Sequence, residues 1–339
     1  MFRLTLLLCI YSLANAIATE TASERITIRV GHFATITHAQ GVIGHAFSRQ
    51  GKDWFMKRLG PNVNVQWYVY DAGPGAMEGI LIDSIDLAYV GPSPTINAFI
   101  KSKGSALRIV CGSCSGGASL VVQGDGNIKT DADFKGKKLA TPGFGNTQDV
   151  MARTWLQSKG FHITQSGGDV MVVPTQNSDQ LLLFKQKGLD AVWGIEPWIS
   201  QLVLEANAKV YLEESSLWPE TQGQYVTAHL VSSTKFIKEH SDLLQKWVDA
   251  QVELTEWINK NPEEAKRIFR EEIKKEIKRD FNPEILDRAW KQLEFTHDPI
   301  AASLFKYAAD AYKIGFLKQQ PDLTDIYDLR FLNAIKEKK

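Results

Sequence analysis

The stretch TPGFGNTQDVMARTWL (Thr141–Leu156) places a glycine-rich turn between an apolar strand and a helix. Asn146 is the expected N-cap of that helix, with Asp149 three residues later. A helix start offers unpaired N–H groups and the positive end of a dipole, so it favours an anion. The turn lacks the lysine of a phosphate-binding loop and the third glycine of a dinucleotide fingerprint. We therefore expect a small ligand held here by neutral donors.

Strands and helices alternate on both sides of this turn. Short apolar strands such as RITIRVG (25–31) and LDAVWGI (189–195) alternate with helices in two runs, which is typical of parallel α/β sheets. ASLVVQG (118–124) and YVTAHLVSS (225–233) flank the second run and are interpreted as paired crossovers between two lobes. The predicted fold class is α/β, with two parallel-type sheets, helices on both faces and two crossover segments.

The C-terminal part is predicted to be helical. From Ser241 on, apolar residues repeat at spacings of three and four. Asn261-Pro262 and Asn282-Pro283 each supply a cap residue and a first-turn proline. The charged run EEIKKEIKRD (271–280) is interpreted as a solvated helix face. The predicted division is a discontinuous first lobe, residues 25–118 and 224–339, and a second lobe, residues 119–223.

The charge balance of the chain bears on nucleic-acid binding, and its first residues bear on where the protein acts. The chain has 39 Lys+Arg and 39 Asp+Glu, so it offers no electrostatic basis for nucleic-acid binding. Arg3, the apolar run Leu4–Leu13 and the A-x-A pattern ending at Ala16 fit a secretory signal. We expect residues 1–16 to be removed, with cleavage near Ala16, and the remainder to be exported.

Two cysteines remain after this predicted cleavage, Cys111 and Cys114 in CGSCSGG. Two small residues filling a tight turn, a disulfide of an oxidising compartment and a redox pair all fit C-x-x-C. No second ligand pair follows at a spacing that a zinc site would use. We expect neither a metal nor a cofactor.

Two further junctions resemble the one at Asn146. Thr37 is a candidate cap with Gln40 at the capping-box position, and Ser93 is a candidate cap with Pro94 after it. In an open parallel sheet, such helix starts lie at the carboxyl edge of the strands, where ligands bind. The glycines of SGGAS (115–119) either let the backbone approach a ligand or form a flexible turn.

Histidines and a Glu-Trp pair are the remaining site candidates. His38 and His45 would lie two helical turns, roughly 10 Å, apart, which is too far for a shared metal. His38 is kept as a ligand contact, and His45 is expected to face core or solvent. Glu196 and Trp198 either bind a ligand ammonium and alkyl chain, or serve as a capping glutamate and a packed ring. No nucleophile–base pattern occurs, so we expect no enzyme.

Taken together, six stretches resemble the periplasmic substrate-binding proteins of ABC transporters for sulfonate, taurine and nitrate. They are THAQ, VGPSPTINAFIKS, LRIVCGSCSGGASLVV, DFKGKKLATPGFGNTQDV, LDAVWGIEPW and SLWPE. The resemblance runs from about Arg25 to Asn259. It implies a periplasmic, monomeric protein with a two-lobed type II fold that closes on its ligand and docks on a membrane permease. The implied ligand-binding residues are Phe33, Thr35, His38, Ser93, Ser115, Gly116, Gly117, Gly145, Asn146, Thr147, Gln148, Glu196 and Trp198.

The ligand implied by this resemblance is a small organic anion, best an aliphatic sulfonate. Glu196 favours one that carries an ammonium, such as taurine. Nitrate and bicarbonate are alternatives within the same group. The superfamily also includes proteins that bind or make thiamine-pyrimidine precursors, which gives an alternative from a different class.

Overall fold

The computed structural model describes residues 25–164 and 167–336. The predicted secretory signal lies outside the described residues. In the described ranges, no helix has both the length and the apolar character needed to span a membrane.

Strands and helices alternate through the first two-thirds of the described chain. The strands are β1 (Ile26–His32), β2 (Val63–Val69), β3 (Leu87–Val90), β4 (Leu107–Gly116), β5 (Ala118–Gln123), β6 (Lys138–Thr141), β7 (Met171–Pro174), β8 (Ala191–Ile195), β9 (Ala208–Glu213), β10 (Val226–Ser233) and β11 (Leu293–Phe295). The helices are α1 (Ala39–Arg49), α2 (Trp54–Leu59), α3 (Gly73–Leu81), α4 (Pro92–Lys101), α5 (Thr147–Ser158), α6 (Asn177–Lys185), α7 (Trp198–Glu205), α8 (Thr234–Glu239), α9 (Ser241–Lys260), α10 (Pro262–Ile277), α11 (Pro283–Trp290), α12 (Ala301–Lys313) and α13 (Arg330–Lys336).

These strands form two sheets, with the orders β11-β4-β10-β3-β1-β2 and β7-β6-β8-β5-β9. The predicted two-lobed α/β architecture is confirmed. Strands within the β/α units pair in parallel, as β1 does with β2 and β3. By contrast, β10 and β5 pair antiparallel to their neighbours. Both sheets are therefore mixed. Each crossover strand starts at the carboxyl ends of the parallel strands and runs in the opposite direction.

The two crossovers lie side by side at the hinge, although β5 and β10 belong to different sheets. Gly116 and Gly117 connect β4 to β5 with φ of 80° and 77°, a conformation that favours glycine. Thr227 Oγ1 donates to the Gly116 carbonyl at 2.6 Å, and the Ala118 N–H donates to Tyr225 Oη at 3.1 Å. These bonds tie the outgoing and returning segments together.

Although the sequence from Thr37 to Leu59 suggests one helix ended by Gly60-Pro61, the structure divides it into two. A short 3-10 turn (Ile36–His38) precedes α1, and residues 50–53 separate α1 from α2. Gly51 and Asp53 have φ of 67° and 43°, in the left-handed region. A right-handed helix cannot continue through such residues.

The C-terminal helices begin where the sequence indicates. Asn261 and Asn282 are the N-caps of α10 and α11, each followed by a first-turn proline. The Asn282 side chain accepts a hydrogen bond from the Glu284 N–H at 3.1 Å. The apolar stripe of α9 packs into the core.

The charged run 271–280 is not wholly solvated, so that interpretation is wrong in part. The side chains of Glu272 and Glu276 are fully buried, while Lys274 and Asp280 pair at the surface. Residues four apart share a helix face. Here that face of α10 packs against α1 and meets His45 and Arg49.

Cys111 and Cys114 lie within β4, so the expectation of a tight turn is wrong. Residues three apart in a strand are separated by roughly 10 Å, beyond the reach of a disulfide. Cys111 Sγ contacts the His297 carbonyl at 3.7 Å, and Cys114 Sγ contacts the Ser115 carbonyl at 3.5 Å. Burial raises the pKa of the Cys114 thiol. Both side chains therefore act as small core residues.

Candidate ligand-binding site

A cavity of about 290 Å³ lies between the two lobes. Its wall is built where β1, β2 and β3 end in the first sheet and where β6, β7 and β8 end in the second. This is the edge at which open α/β sheets bind ligands. The lining residues are Phe33, Ala34, Thr35, Thr37, His38, Val69, Tyr70, Asp71, Ala72, Gly73, Gly91, Pro94, Pro142, Asn146, Thr147, Gln148, Gln176, Asn177, Ser178, Ile195, Trp198, Thr227 and Ile277.

Helix starts of opposite lobes meet across this cavity. The Gly73 N–H, at the start of α3, donates to Asn146 Oδ1 at 3.3 Å. The Ser93 N–H, at the start of α4, donates to Thr147 Oγ1 at 3.3 Å. Two donors of the first lobe thus engage oxygens that flank the start of α5 in the second lobe. The structure is a closed arrangement of the lobes.

A third bond between the lobes lies on the other side of the cavity. Thr35 Oγ1 donates to the Glu196 carbonyl at 3.0 Å, and the Glu196 N–H donates to the Gly117 carbonyl at 2.8 Å. The Thr35 hydroxyl and the main chain of Glu196 therefore link the loop after β1, the loop after β8 and the hinge.

The capping predictions fare differently at the three junctions. Asn146 is the N-cap of α5, but its side chain bonds across the cavity instead of to its own helix. Asp149 closes the turn, since it accepts from Thr141 Oγ1 at 3.0 Å and from the Gly145 N–H at 3.1 Å. Arg153 pairs with that buried carboxylate.

Ser93 is not a cap, because it lies inside α4. This helix begins at Pro92, two residues before the expected Pro94, and Gly91 is its N-cap. The predicted capping box at the first junction is also wrong. Thr35 caps the 3-10 turn, and its Oγ1 accepts from the Thr37 N–H at 3.4 Å. Gln40 points away and donates to the Ser113 carbonyl at 2.8 Å.

His38 enters the cavity wall as a neutral ring. Burial lowers the pKa of His38 well below its usual value, and the neighbouring His32 and His229 lower it further. Its Nδ1 accepts from the Phe33 N–H at 3.2 Å. The ring proton therefore lies on Nε2, which makes His38 a neutral donor.

Two aromatic rings form opposite parts of the wall. Phe33 packs on the His38 ring with centroids 4.3 Å apart. Trp198 packs edge-to-face against Phe281 at 5.1 Å, and the Arg279 guanidinium lies 5.5 Å from its ring. Arg279 also donates to the Ser178 carbonyl at 2.9 Å, so it fixes two parts of the second-lobe wall.

Glu196 is a buried cap, and its carboxylate does not line the cavity. Its Oε2 accepts from the Ser200 N–H at 3.0 Å, which satisfies a free donor at the start of α7. Burial raises the pKa of Glu196 to about 7, against the opposing effect of the bonds from Ser200. Of the two alternatives given for Glu196, the structure shows the capping glutamate. Trp198, by contrast, lines the cavity.

The charge at the wall is carried by Asp71, which is exposed after β2. Among the lining residues in the described part of the chain, none is a lysine or arginine. A ligand anion would therefore be held by N–H and hydroxyl groups and not by an ion pair.

Seven of the predicted site residues line the cavity, namely Phe33, Thr35, His38, Asn146, Thr147, Gln148 and Trp198. The other six do not, namely Ser93, Ser115, Gly116, Gly117, Gly145 and Glu196. Ser93 still contributes its N–H to the bond with Thr147. Gly116 and Gly117 face Gln292 and Leu293 and belong to the hinge, where Ser115 Oγ accepts from the Tyr225 N–H. Gly145 sits in the turn closed by Asp149.

Sequence reasoning missed three parts of the wall. One is Val69–Gly73 after β2, another is Gln176–Ser178 after β7, and the third is Ile277 at the end of α10. The first two follow strands of the same parallel sets, so the carboxyl-edge rule applies to them equally. Gly73-Pro74 even repeats the glycine–proline pattern of a helix start. Nothing in the sequence around Ile277 indicates that it reaches the cavity.

Known proteins resemble this chain in sequence and fold. A curated protein of Bacillus subtilis (strain 168), whose name assigns it to aliphatic sulfonate binding, is 22% identical over 84% of this chain and 83% of its own length. The alkanesulfonate-binding protein of Xanthomonas axonopodis pv. citri bound to MOPS superposes with a TM-score of 0.72 at 18% identity, covering 91% of this chain and 100% of that one. The periplasmic nitrate-binding protein of Synechocystis PCC 6803 superposes with a TM-score of 0.69 at 16% identity, covering 93% and 86%.

These superpositions confirm the two-lobed type II fold of periplasmic binding proteins. The family assignment has a separate basis in the sequence. The model of the NMT1-like family matches residues 21–270, well over half of the 339 residues. The chain therefore belongs to the NMT1-like family.

Proposed function

We propose that this chain is the exported binding component of an ABC importer, which encloses a small organic anion between its lobes and delivers it to a membrane permease. The best candidates are an aliphatic sulfonate and taurine. The protein would act in the periplasm as a monomer, after cleavage near Ala16. It would bind its ligand without changing it chemically.

The observation that carries this proposal is the meeting of helix starts across the cavity. The N–H groups of Gly73 and Ser93 donate to neutral oxygens of Asn146 and Thr147. A sulfonate oxygen is a stronger acceptor than an amide or hydroxyl oxygen. It would compete for these donors while the dipoles of α3, α4 and α5 favour its charge. The same atoms thus explain both closure and anion binding.

Closure would follow from a difference in affinity between the two states. A ligand that contacts both lobes binds the closed state more tightly than the open one, so it shifts the population towards closure. Phe33 and Trp198 would cover the organic part of the ligand, and the neutral His38 would donate a hydrogen bond without adding charge. The permease would then recognise the closed form.

Asp71 favours taurine over an unsubstituted sulfonate. It is the acidic residue of the cavity wall, and an ammonium group on the ligand would pair with it. Glu196 was expected to have this role, but its buried carboxyl is already engaged with α7. A ligand with a sulfonate at one end and an ammonium at the other matches donors and acceptor together.

A second candidate is a thiamine-pyrimidine precursor, and the absence of lysine and arginine among the described lining residues favours it. An aminopyrimidine is planar and offers N–H donors to a carboxylate. Asp71 and the aromatic rings of Phe33 and Trp198 suit such a ligand. Nitrate and bicarbonate also fit the neutral donors of the helix starts, but they leave the aromatic wall without a partner.

The test is a calorimetric titration of residues 17–339 with taurine, and with ethanesulfonate in parallel. Replacing Asn146 and Thr147 together with alanine removes two side chains that join the lobes and whose amide and hydroxyl groups can donate to the ligand. Binding should therefore weaken by more than tenfold, about 1.4 kcal/mol or greater. The lobes should still fold, since the Asn146 side chain makes no cap bond to α5 and each lost hydrogen bond between the lobes costs only about 1 kcal/mol.

Asn282→Ala is the control, because it removes an asparagine at the N-cap position of another helix, outside the cavity. It should lower stability by a similar amount and leave the dissociation constant unchanged. Unchanged affinity in the Asn146/Thr147 double variant would remove this junction from the site.

A further inference from the structure

Three potential metal ligands converge behind the cavity wall. His32 ends β1, His45 lies in α1 and Glu276 lies in α10. His32 Nε2 is 3.0 Å from His45 Nδ1, His45 Nδ1 is 2.9 Å from Glu276 Oε1, and His32 Nε2 is 3.2 Å from Glu276 Oε1. Two nitrogens and one oxygen therefore form a nearly equilateral triangle.

Hydrogen bonds alone cannot satisfy this triangle. The Glu276 carboxylate oxygen accepts hydrogen bonds and supplies no hydrogen to the triangle. Each ring nitrogen carries at most one hydrogen, which points in one direction. If both nitrogens are protonated towards Glu276, their N–H groups face each other at 3.0 Å. At least one side of the triangle is left without a hydrogen bond.

One cation inside the triangle would satisfy all three atoms. Ligands about 2.1 Å from a tetrahedral zinc ion lie about 3.4 Å from one another, a few tenths of an ångström more than the spacing found here. We propose that His32, His45 and Glu276 bind a zinc ion, with Glu272 or a water molecule as the fourth ligand. Imidazole and carboxylate ligands in this combination suit zinc.

The surroundings support coordination. His32 Nδ1 lies 3.4 Å from the Phe33 carbonyl, so a proton on Nδ1 leaves the Nε2 lone pair for the metal. Glu272 Oε1 lies 3.9 Å from His45 Nδ1, and a small movement would bring it to the ion. Arg49 Nε is 2.6 Å from Glu272 Oε1 and 3.1 Å from His45 Nε2. When His45 binds metal through Nδ1, its proton moves to Nε2 and Arg49 donates to Glu272 alone.

Burial and charge point the same way. The side chains of His32, Glu272 and Glu276 are fully buried, and the Trp67 ring stacks over His45 at 5.7 Å. Glu272 pairs with Arg49 at 2.6 Å and with Lys275 at 3.8 Å, whereas Glu276 faces the imidazole rings of His32 and His45. A dication would therefore compensate the Glu276 charge, which is costly to bury. A buried site with this composition is structural and not catalytic.

The ion would join three elements of the first lobe and stiffen part of the cavity wall. The chain neighbours of two ligands, Phe33 and Ile277, both line the cavity. Fixing His32 and Glu276 would therefore fix the positions of these two wall residues. The proposal does not depend on the identity of the transported ligand, and its test needs none.

The experiment uses untagged residues 17–339, freed of metal by a chelator and then titrated with zinc chloride. Calorimetry should show one zinc per chain, and the melting temperature should rise, because zinc binds the folded state. Glu276→Gln keeps the side-chain volume but removes the anionic ligand, so it should weaken zinc binding by about a hundredfold or more. His162→Ala, which removes an exposed histidine, should bind zinc as the wild type does.

A wild-type protein that takes up no zinc, or a Glu276→Gln variant that binds it with wild-type affinity, would overturn the proposal. Should Glu276→Gln fail to fold, the test is the visible absorption of the wild-type chain loaded with cobalt(II). Cobalt in a four-coordinate site of this kind absorbs strongly in the visible range, and zinc should abolish that absorption by displacement. Without such a band the proposal is wrong.

Discussion

Three carboxyl groups near the cavity differ in role because their surroundings differ. Asp71 is exposed at the wall and remains available to a ligand cation. Glu196 is buried and caps α7 through the Ser200 N–H. Glu276 is buried between two imidazole rings, which keep it ionised. At the scale of single residues, burial and immediate neighbours decide whether an acid is open to a ligand, caps a helix or lies among potential metal ligands.

The raised pKa of Glu196 makes stability depend on pH. The value is about 7 in the folded protein against 4.5 for an unperturbed glutamate, so the folded state binds the proton more tightly. This contribution to stability is fully present below pH 4.5 and is lost as pH rises to about 7. The free energy of unfolding should fall by roughly 3 kcal/mol across that window, relative to Glu196→Gln, which cannot ionise.

The measurement is urea unfolding of both proteins at several pH values from 4 to 8. Glu196→Gln keeps an oxygen for the Ser200 N–H, so the cap survives and only the titration is removed. The difference between the two proteins cancels other groups that titrate in the same range. Parallel stability curves would show that Glu196 keeps an ordinary pKa.

At the scale of elements, the starts of α4 and α5 join the two lobes, and we expect this contact to limit closure. A β-carbon on Gly91 would lie 2.8 Å from Thr147 Oγ1 and 3.3 Å from the Thr227 carbonyl. Gly91 has φ of −78°, so alanine can adopt its backbone conformation without strain. Gly91→Ala should therefore spare the fold but hold the lobes apart, and affinity for the ligand should fall about tenfold or more.

Gly75→Ala is the control for this substitution. Its added β-carbon would meet only Tyr70, at an ordinary distance of 3.7 Å. Ligand titrations of the two variants should differ, whereas their melting temperatures without ligand should both stay near that of the wild type. Equal affinities would show that this contact does not limit closure.

The elements themselves could largely be predicted from local patterns. The apolar strands and the Asn-Pro helix starts at residues 261 and 282 lie where the sequence indicates, because periodicity and capping are local signals. The start of α4 was misplaced because Pro92 and Pro94 are equally suited to a first helical turn. The break at residues 50–53 depends on left-handed residues that the apolar periodicity does not reveal.

The cavity was predicted in part, because its wall depends on which strand ends face each other. The junctions at Phe33 and Asn146 follow from the carboxyl-edge rule. The buried face of α10 could not be predicted, since Glu272 and Glu276 stand in a run that reads as a solvated surface until α1 is packed against it. Likewise, the side-chain direction of Glu196 depends on the local path of the chain before α7.

At the scale of the whole molecule, the hinge and the cavity work as one unit. The two crossovers are bonded side by side through Gly116 and Thr227, while Thr35 and Glu196 connect the lobes directly. The C-terminal helical part adds a further link to the second lobe, since Arg279 donates to the Ser178 carbonyl and its guanidinium lies over the Trp198 ring. We expect a ligand that contacts both lobes to strengthen these links.

The most direct test of a ligand-binding role is a thermal-shift screen of residues 17–339. The panel comprises taurine, alkanesulfonates, nitrate, sulfate, bicarbonate and a thiamine-pyrimidine precursor. A ligand that binds only the folded state raises the melting temperature. We predict a rise with taurine, a smaller rise with ethanesulfonate, and little change with nitrate or bicarbonate. A rise with the pyrimidine alone, or no rise with any member of the panel, would contradict the proposed binding of a sulfonate between the lobes.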